Sequence, residues 1–392
     1  MLSLLKSVLS ISVLKTLDYI VPIVIMPLVL NRFEIDGYGI YSYILTISAF
    51  LAFLSDICLT SIGVQQFNKY KSEGNNEQSF VISLVLMKNL SLLFLLLLLY
   101  IASGFINLPN MEYVALFSVG FSIINIWYYI SKDNFKFIIL TSVLIKGVGL
   151  LICFLYAFEL DEFILIQAIT ILSVGLLSFA KIIIENSNGR FNATICKEYF
   201  VNIKDIYTYS SINAFVQPFV NSTILASGDT ILLGIYNVVM RFVNASVNFS
   251  SAIIAVINRS NSEIHFSNQT DSVEYKKQII KLLALSLFVF LCVSIASNLL
   301  LVTTNNVLEK GSILWVCLIS FAVVPSIMNQ HLTQLIHLLK SSERVKFFVV
   351  FSNALSILII YTLSEQLPYY YVVISVVLCP MIITFLCLKE LK

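Results

Sequence analysis

Five polar side chains recur at one spacing inside an apolar run: Asn237, Arg241, Asn244, Asn248 and Ser251 stand at i, i+4, i+7, i+11 and i+14. On a helix this spacing draws one continuous polar face. A guanidinium there offers a planar fork of donors that matches paired phosphate or carboxylate oxygens. Carboxamides donate and accept at once, which suits hydroxyl-rich groups such as sugars. Asn213, Gln217 and Asn221 repeat the pattern at i, i+4 and i+8 in the preceding apolar run. Lys146 lies inside another such run. Lys15 lies inside the first, three residues before Asp18 and close to Tyr19. Together these residues could bind an anion that carries hydroxyl groups.

Covalent chemistry finds less support. His265, His331 and His337 fall toward the ends of runs that the charge pattern places on the cytoplasmic side, so they are expected to be solvated. No GxxxxGK[ST] phosphate loop and no metal-ligand spacing occur, so neither a cofactor nor a metal is expected. The seven cysteines form no CxxC pair, lie mostly in apolar segments and read as small buried hydrophobes.

The elements that must position these residues are helices crossing a membrane. Of 392 residues, 58% are hydrophobic and 12% charged, against about 25% charged in soluble domains. Apolar runs of roughly 20 residues, the length needed to cross about 30 Å of hydrocarbon, recur throughout. They lack the alternation of barrel strands. The expected spans are 8–30, 40–60, 82–106, 112–130, 137–158 and 162–184, then 206–226, 231–257, 280–302, 312–330, 347–364 and 369–388. Pro22, Pro27, Pro218 and Pro325, in or near span ends, are kink candidates. The first span, with Lys15, Asp18 and two prolines, is expected to be a retained helix and not a signal peptide.

With both termini in the cytoplasm, alternation places nearly all loop cations inside, including Lys69, Lys71, Lys132, Lys181, Arg190, Lys197, Lys204, Lys276, Lys277 and Arg344. Only Arg32 and Lys310 fall outside, among acids such as Glu34, Asp36 and Asp229. The net charge of +2 therefore points to no nucleic-acid partner; charge is sorted across the bilayer. Gly39-Ile40-Tyr41 and Gly234-Ile235-Tyr236 stand half a chain apart, as do Pro22 and Pro218. Ser131-Lys132-Asp133-Asn134-Phe135-Lys136-Phe137 parallels Ser341-Ser342-Glu343-Arg344-Val345-Lys346-Phe347. These matches predict two six-helix lobes, 1–190 and 206–392, related by a pseudo-two-fold along the membrane normal and joined by a basic cytoplasmic linker, 191–205.

Within this frame Arg241 lies about eleven residues into its helix, or ~16 Å at 1.5 Å per residue, near the midplane. Lys146 lies at similar depth, Lys15 is shallower, and Lys88 is expected at the cytoplasmic rim, with Asp56 near the inner end of its helix. Hydrocarbon does not solvate such cations, so a water-filled cavity is expected around Arg241 and Lys146. For Lys15–Asp18 a structural salt bridge is the alternative, and for each amide the alternative is helix–helix bonding.

Pro27-Leu28 followed by Gly37-Tyr38-Gly39-Ile40-Tyr41 resembles the opening of bacterial O-antigen and polysaccharide repeat-unit flippases, members of the multidrug/oligosaccharidyl-lipid/polysaccharide exporter superfamily. Trp127-Tyr128-Tyr129 with Asp133, Phe135 and Lys136, then Ile145-Lys146, is similar to that family's stretch between its fourth and fifth helices. Gly234-Ile235-Tyr236 leading to Arg241 is similar to the start of its second lobe. Two departures are Cys58, where that pattern has glycine, and the short external turn before Gly234.

The resemblance implies a V-shaped pair of lobes in the bacterial inner membrane. Alternating access would carry an undecaprenyl-pyrophosphate-linked sugar unit from the cytoplasmic to the periplasmic leaflet. Arg241, Lys146 and Lys15 would hold the diphosphate. Asn237, Asn244, Asn248, Asn213, Gln217, Asn221 and Tyr19 would face the sugars, the polyprenyl tail would stay among membrane lipids, and Asp18 would be the candidate for proton coupling. Other polysaccharide-assembly proteins would be partners. The rivals are a polysaccharide polymerase, disfavoured by short outer loops, a drug or cation exporter of the same superfamily, disfavoured by buried cations, and a lipid II flippase, expected to be longer.

Overall fold

The computed structural model describes residues 2–103, 110–132, 134–266, 272–305, 310–339, 342–363 and 372–390, with side chains outside 2–21, 251–278, 305–312, 333–346 and a few single positions. The regular elements among the described residues are all helices. Helix α1 (Leu2–Asp56) would be far longer than a bilayer is thick, but Glu34 leaves helical geometry at φ 60°, ψ −177°. This splits α1 into two runs, each long enough for one crossing. After it come a π turn (Leu59–Gly63) and the short amphipathic α2 (Val64–Ser72). There follow α3 (Glu77–Ser103), α4 (Met111–Ile123), α5 (Ile126–Ser131), α6 (Phe135–Tyr156) and α7 (Leu160–Glu185). The second half holds α8 (Ala193–Ala226), α9 (Thr230–Phe266), α10 (Ser272–Asn305), α11 (Lys310–Ser320), α12 (Val323–Leu339), α13 (Ser342–Leu363), a π turn (Ile374–Leu378) and α14 (Cys379–Glu390).

These elements account for the twelve expected spans, with α4 and α5 sharing one and α11 and α12 another. Over the described residues, eight helices are long and apolar enough to cross a membrane. The chain is an all-α, multi-pass membrane protein. Its outer surface confirms this: Leu90, Leu93, Phe94 and Leu97 on α3, and Leu144, Leu151 and Phe154 on α6, are each more than half exposed. A water-soluble protein would not leave such rows open, whereas lipid is their solvent.

The halves repeat their irregularities as well as their helices. The fourth span of the first half breaks at Ile124–Asn125, and its counterpart breaks at Phe321–Ala322. Helices α6 and α13 are both 22 residues long. Helices α1 and α8 run on through Pro22, Pro27 and Pro218. Pro325 instead sits in the first turn of α12, where a missing N–H costs little.

The chain divides into two compact units. One comprises Met1–Asp18 and Tyr41–Pro218, the other Tyr19–Ile40 and Phe219–Lys392. All three divisions fall inside helices, near Pro22 and after Ile40 in α1 and at Pro218 in α8. The 191–205 stretch, expected as a linker, is helical from Ala193 and continues into α8 without a break.

In the first unit α4 packs on α7 and α6 on α7. Small hydroxyls bond helices together: Ser55 and Ser122 Oγ atoms lie 2.9 Å apart, and Ser48 Oγ donates to the Val114 carbonyl at 3.1 Å. Without a hydrophobic drive between helices in lipid, close packing and such bonds supply the association. In the second unit α12 packs on α9, α10 and α14. Asn329 Nδ2 donates to the Pro380 carbonyl at 2.9 Å, and Thr384 Oγ1 donates to Asn329 Oδ1 at 2.7 Å. The Tyr19–Ile40 segment packs closely in this unit at Ile35 and Gly39, against Thr230 and Gly234 of α9. There Thr230 Oγ1 donates to Asp36 Oδ1 at 2.8 Å.

Candidate functional site

Helix α9 carries the polar stripe as the spacing predicts, but its members do different things. Asn237 and Asn221 are almost fully buried and exchange both amide bonds: Asn221 Nδ2 donates to Asn237 Oδ1 at 3.3 Å and Asn237 Nδ2 to Asn221 Oδ1 at 3.2 Å. Asn237 Nδ2 also donates to the Leu233 carbonyl at 2.9 Å. These two amides, expected to face sugars, meet each other and clamp α8 to α9. The physical reason is local: each lone amide is cheapest to bury against another.

Further along α9 the stripe opens. Arg241, Asn244 and Asn248 are partly exposed, and Asn248 Nδ2 donates to the Asn244 carbonyl at 2.7 Å. No ion pair to Arg241 occurs among the described residues. In α8, Asn213 is exposed and Gln217 half-buried. Lys146 is half-buried on α6, with exposed apolar neighbours Leu144 and Val148. Arg241 and Lys146 belong to different units. The side chains of Lys15, Asp18 and Tyr19 lie outside the described residues, as does Ser251.

One charge constellation differs from the sequence-based expectation. Lys88, expected at the cytoplasmic rim, is 3% exposed, and its Nζ bonds Asp56 Oδ1 at 2.8 Å. Asp56 Oδ2 also accepts the Thr60 backbone N–H at 2.9 Å. The correction follows from the chain path: α1 stops at Asp56, and Ile57 and Cys58 then turn left-handed, at φ 46° and 56°. The turn brings the carboxylate against the middle of α3. Tyr199 and Tyr207 of α8 donate to the carbonyls this break releases, at Ile57 (3.0 Å) and Leu54 (2.9 Å). Burial, then the charge of Asp56, holds the Tyr199 phenol well above its ordinary pKa, so it stays a donor. The signal that could have paired Lys88 with Asp56 was that both are ionisable in apolar runs without a partner nearby in sequence.

His331 is a second correction. It is fully buried in α12, and neither ring nitrogen has a hydrogen-bond partner among the described residues. It sits inside a packed helix that continues to Leu339, so it is not in the solvated end expected for it. His265 and His337 lie outside the described side chains. Of the described cysteines, Cys58, Cys153 and Cys387 are buried, Cys196 and Cys317 are partly buried and Cys292 is exposed.

No protein-family model matches this sequence, and no curated protein matches it. Solved structures do. A structure described as the inward-facing conformation of a multidrug resistance MATE family transporter of the MOP superfamily superposes with a TM-score of 0.63 at 13% identity, covering 95% of this chain and 97% of that one. The chain has the fold of a MATE transporter. A second structure, MATE in complex with MaL6, agrees with a TM-score of 0.56 at 12% identity, covering 99% of this chain and 96% of that one. Near-complete coverage in both directions means the MATE fold accounts for nearly the whole chain. At 12–13% identity the likeness is one of fold, and what the protein carries must be argued from its own side chains.

Proposed function

We propose that this protein is an alternating-access transporter that moves a polyprenyl-diphosphate-linked oligosaccharide from the cytoplasmic to the outer leaflet of a bacterial inner membrane. The observation that carries the reading is Arg241: a guanidinium about 16 Å along a membrane helix, part-exposed, beside two part-exposed asparagines and with no carboxylate on it among the described residues. Held in a water-accessible space, it would grip a diphosphate by two parallel bonds, while Asn244 and Asn248 of the same helix would meet hydroxyls. Lys146, and Lys15 of the first helix, would add positive charge along the path. The reaction needs no covalent step: binding favours one state of the transporter, and release follows in the other.

The fold neighbours support transport, and one is described as a multidrug transporter. That favours export of an organic cation as the second reading. Charge weighs against it: the buried acid of the first unit, Asp56, is neutralised by Lys88, while Arg241 has no carboxylate on it among the described residues.

The test is deletion of the gene, followed by gel analysis of surface polysaccharide and of lipid-linked units. Wild type, Arg241→Lys and Arg241→Ala are then used for complementation. Loss of surface polysaccharide with lipid-linked units accumulating inside, restored by wild type and not by Arg241→Ala, is the expected result. Normal long chains in the deletion strain, with increased sensitivity to organic cations, would overturn it in favour of the second reading.

A further inference from the structure

We propose that the first turns of α8 form a docking surface for anionic phospholipid headgroups of the cytoplasmic leaflet. The inference does not depend on what the protein carries. Ile195, Tyr199 and Ile203 recur at i, i+4 and i+8 and are buried, at 5%, 3% and 0% exposure. They join the core that holds Trp127 and Tyr129. The turn before them is fastened as well: the backbone N–H groups of Arg190 and Asn192 donate to Ser79 Oγ (3.1 Å) and Ser83 Oγ (2.9 Å) of α3. This end of α8 is therefore held rigidly, with one face fixed inward.

At 100° per residue, Lys197, Phe200, Val201 and Lys204 fall within an arc of about 100°, nearly opposite the buried stripe. All four are exposed. Phe200 leans on the Tyr207 ring, centroids 6.5 Å apart, and is still 46% open; Val201 is 55% and Phe191 52% open. Arg190 is exposed in the adjoining turn. Of the two acids on these turns, Glu198 falls on the flank, where with Asn202 it lines a shallow recess shared with Lys69 and Glu73, and Asp205, next to Lys204, has its side chain outside those described.

Two observations name the occupant. A face that mixes an aromatic and an aliphatic side chain with lysines has the make-up of a helix lying at a membrane interface, apolar parts among acyl chains and ammonium groups among phosphates. A protein-binding core would exclude the lysines. Depth agrees: Lys204 is two residues, or about 3 Å, from the expected start of the span at 206, and the distribution of cations assigns this end to the side where anionic lipid concentrates.

The test places a reporter on the face. Phe200→Trp, and Phe154→Trp on the lipid-exposed side of α6 as a control, are reconstituted into phosphatidylcholine vesicles. Each vesicle contains the same fraction of brominated phosphatidylcholine or brominated phosphatidylglycerol. Quenching is read as the difference from the parent protein. The expected result is quenching of both reporters, with phosphatidylglycerol favoured at position 200 by about fivefold per lysine engaged. Lys197→Gln with Lys204→Gln should reduce that preference to the level of the control. Absence of quenching at 200 by either lipid would overturn the proposal, because the face would then lie in water or under protein. Equal quenching by both lipids, or a preference that survives loss of both lysines, would overturn it too.

Discussion

Gly39 and Gly234 open the same three-residue motif in the two halves of the chain, and in the fold they lie against each other. A methyl group on Gly39 would come 3.0 Å from the Gly234 nitrogen and 2.8 Å from the Thr230 carbonyl oxygen. On Gly234 it would collide with the Ile35 carbonyl oxygen. Backbone blocks each position, so neither contact can be relieved by turning a side chain. The Asp36–Thr230 hydrogen bond closes the same crossing one turn away.

Gly234→Ala should therefore destabilise the protein by about 1–3 kcal/mol, the usual range for overpacking, and Gly234→Leu by more. Thermal unfolding in detergent, followed by size-exclusion chromatography, reads the effect. A Gly234→Ala protein as stable as wild type would mean that the crossing is looser than the distances indicate.

The Asp56–Lys88 pair predicts a non-additive pattern. Asp56→Asn or Lys88→Leu alone strands a charge in a dry site and should cost about 3–5 kcal/mol. Asp56→Leu combined with Lys88→Leu should recover much of that loss. A double-mutant cycle with additive effects would show that the two groups do not depend on each other.

The break after Asp56 predicts an unusual tolerance. Cys58 is a non-glycine residue in left-handed geometry, a strain of about 1–2 kcal/mol, so Cys58→Gly should be close to neutral as relief offsets lost packing. Cys58→Val adds a β-branch where none fits and should be clearly destabilising. Tyr199→Phe removes the donor to the Ile57 carbonyl and should cost about 1–3 kcal/mol. Thermal midpoints of the three variants, compared in one detergent, check the order.

The buried amide pair is predicted to be structural. Asn221→Leu or Asn237→Leu leaves one amide unanswered, at about 1–3 kcal/mol, while the double substitution should be milder than either alone. If Asn237→Leu abolishes transport with no change in unfolding temperature, the amide has a part in binding as well.

Much of the architecture was legible in the sequence because membranes enforce it. Apolar runs of the right length must be helices, and the cations must sort to one side, so the spans and the two-fold repetition could be read from residues such as Gly39, Gly234, Pro22 and Pro218. The polar stripe of α9 was legible for the same reason, since a fixed helical period decides which residues share a face. Which neighbour each polar group meets was not. Asn237 turned to Asn221 and Lys88 to Asp56, choices made by packing between helices, which carries no periodic signature. His331 was misjudged because a span end read from hydropathy says nothing about what covers it. The turn at Glu34 was expected as a loop, and a single non-helical residue sufficed.

The passage of α1 between the two units has a consequence for how the chain is made. Residues 19–40 leave the ribosome well before the partners they pack against, which begin only at 219. At 5–20 residues per second the interval is about 10–40 s. During that time the Gly39 surface must wait in the membrane uncovered, so an insertase or chaperone that shields unpartnered helices should matter more for this protein than for one whose helices find their neighbours at once.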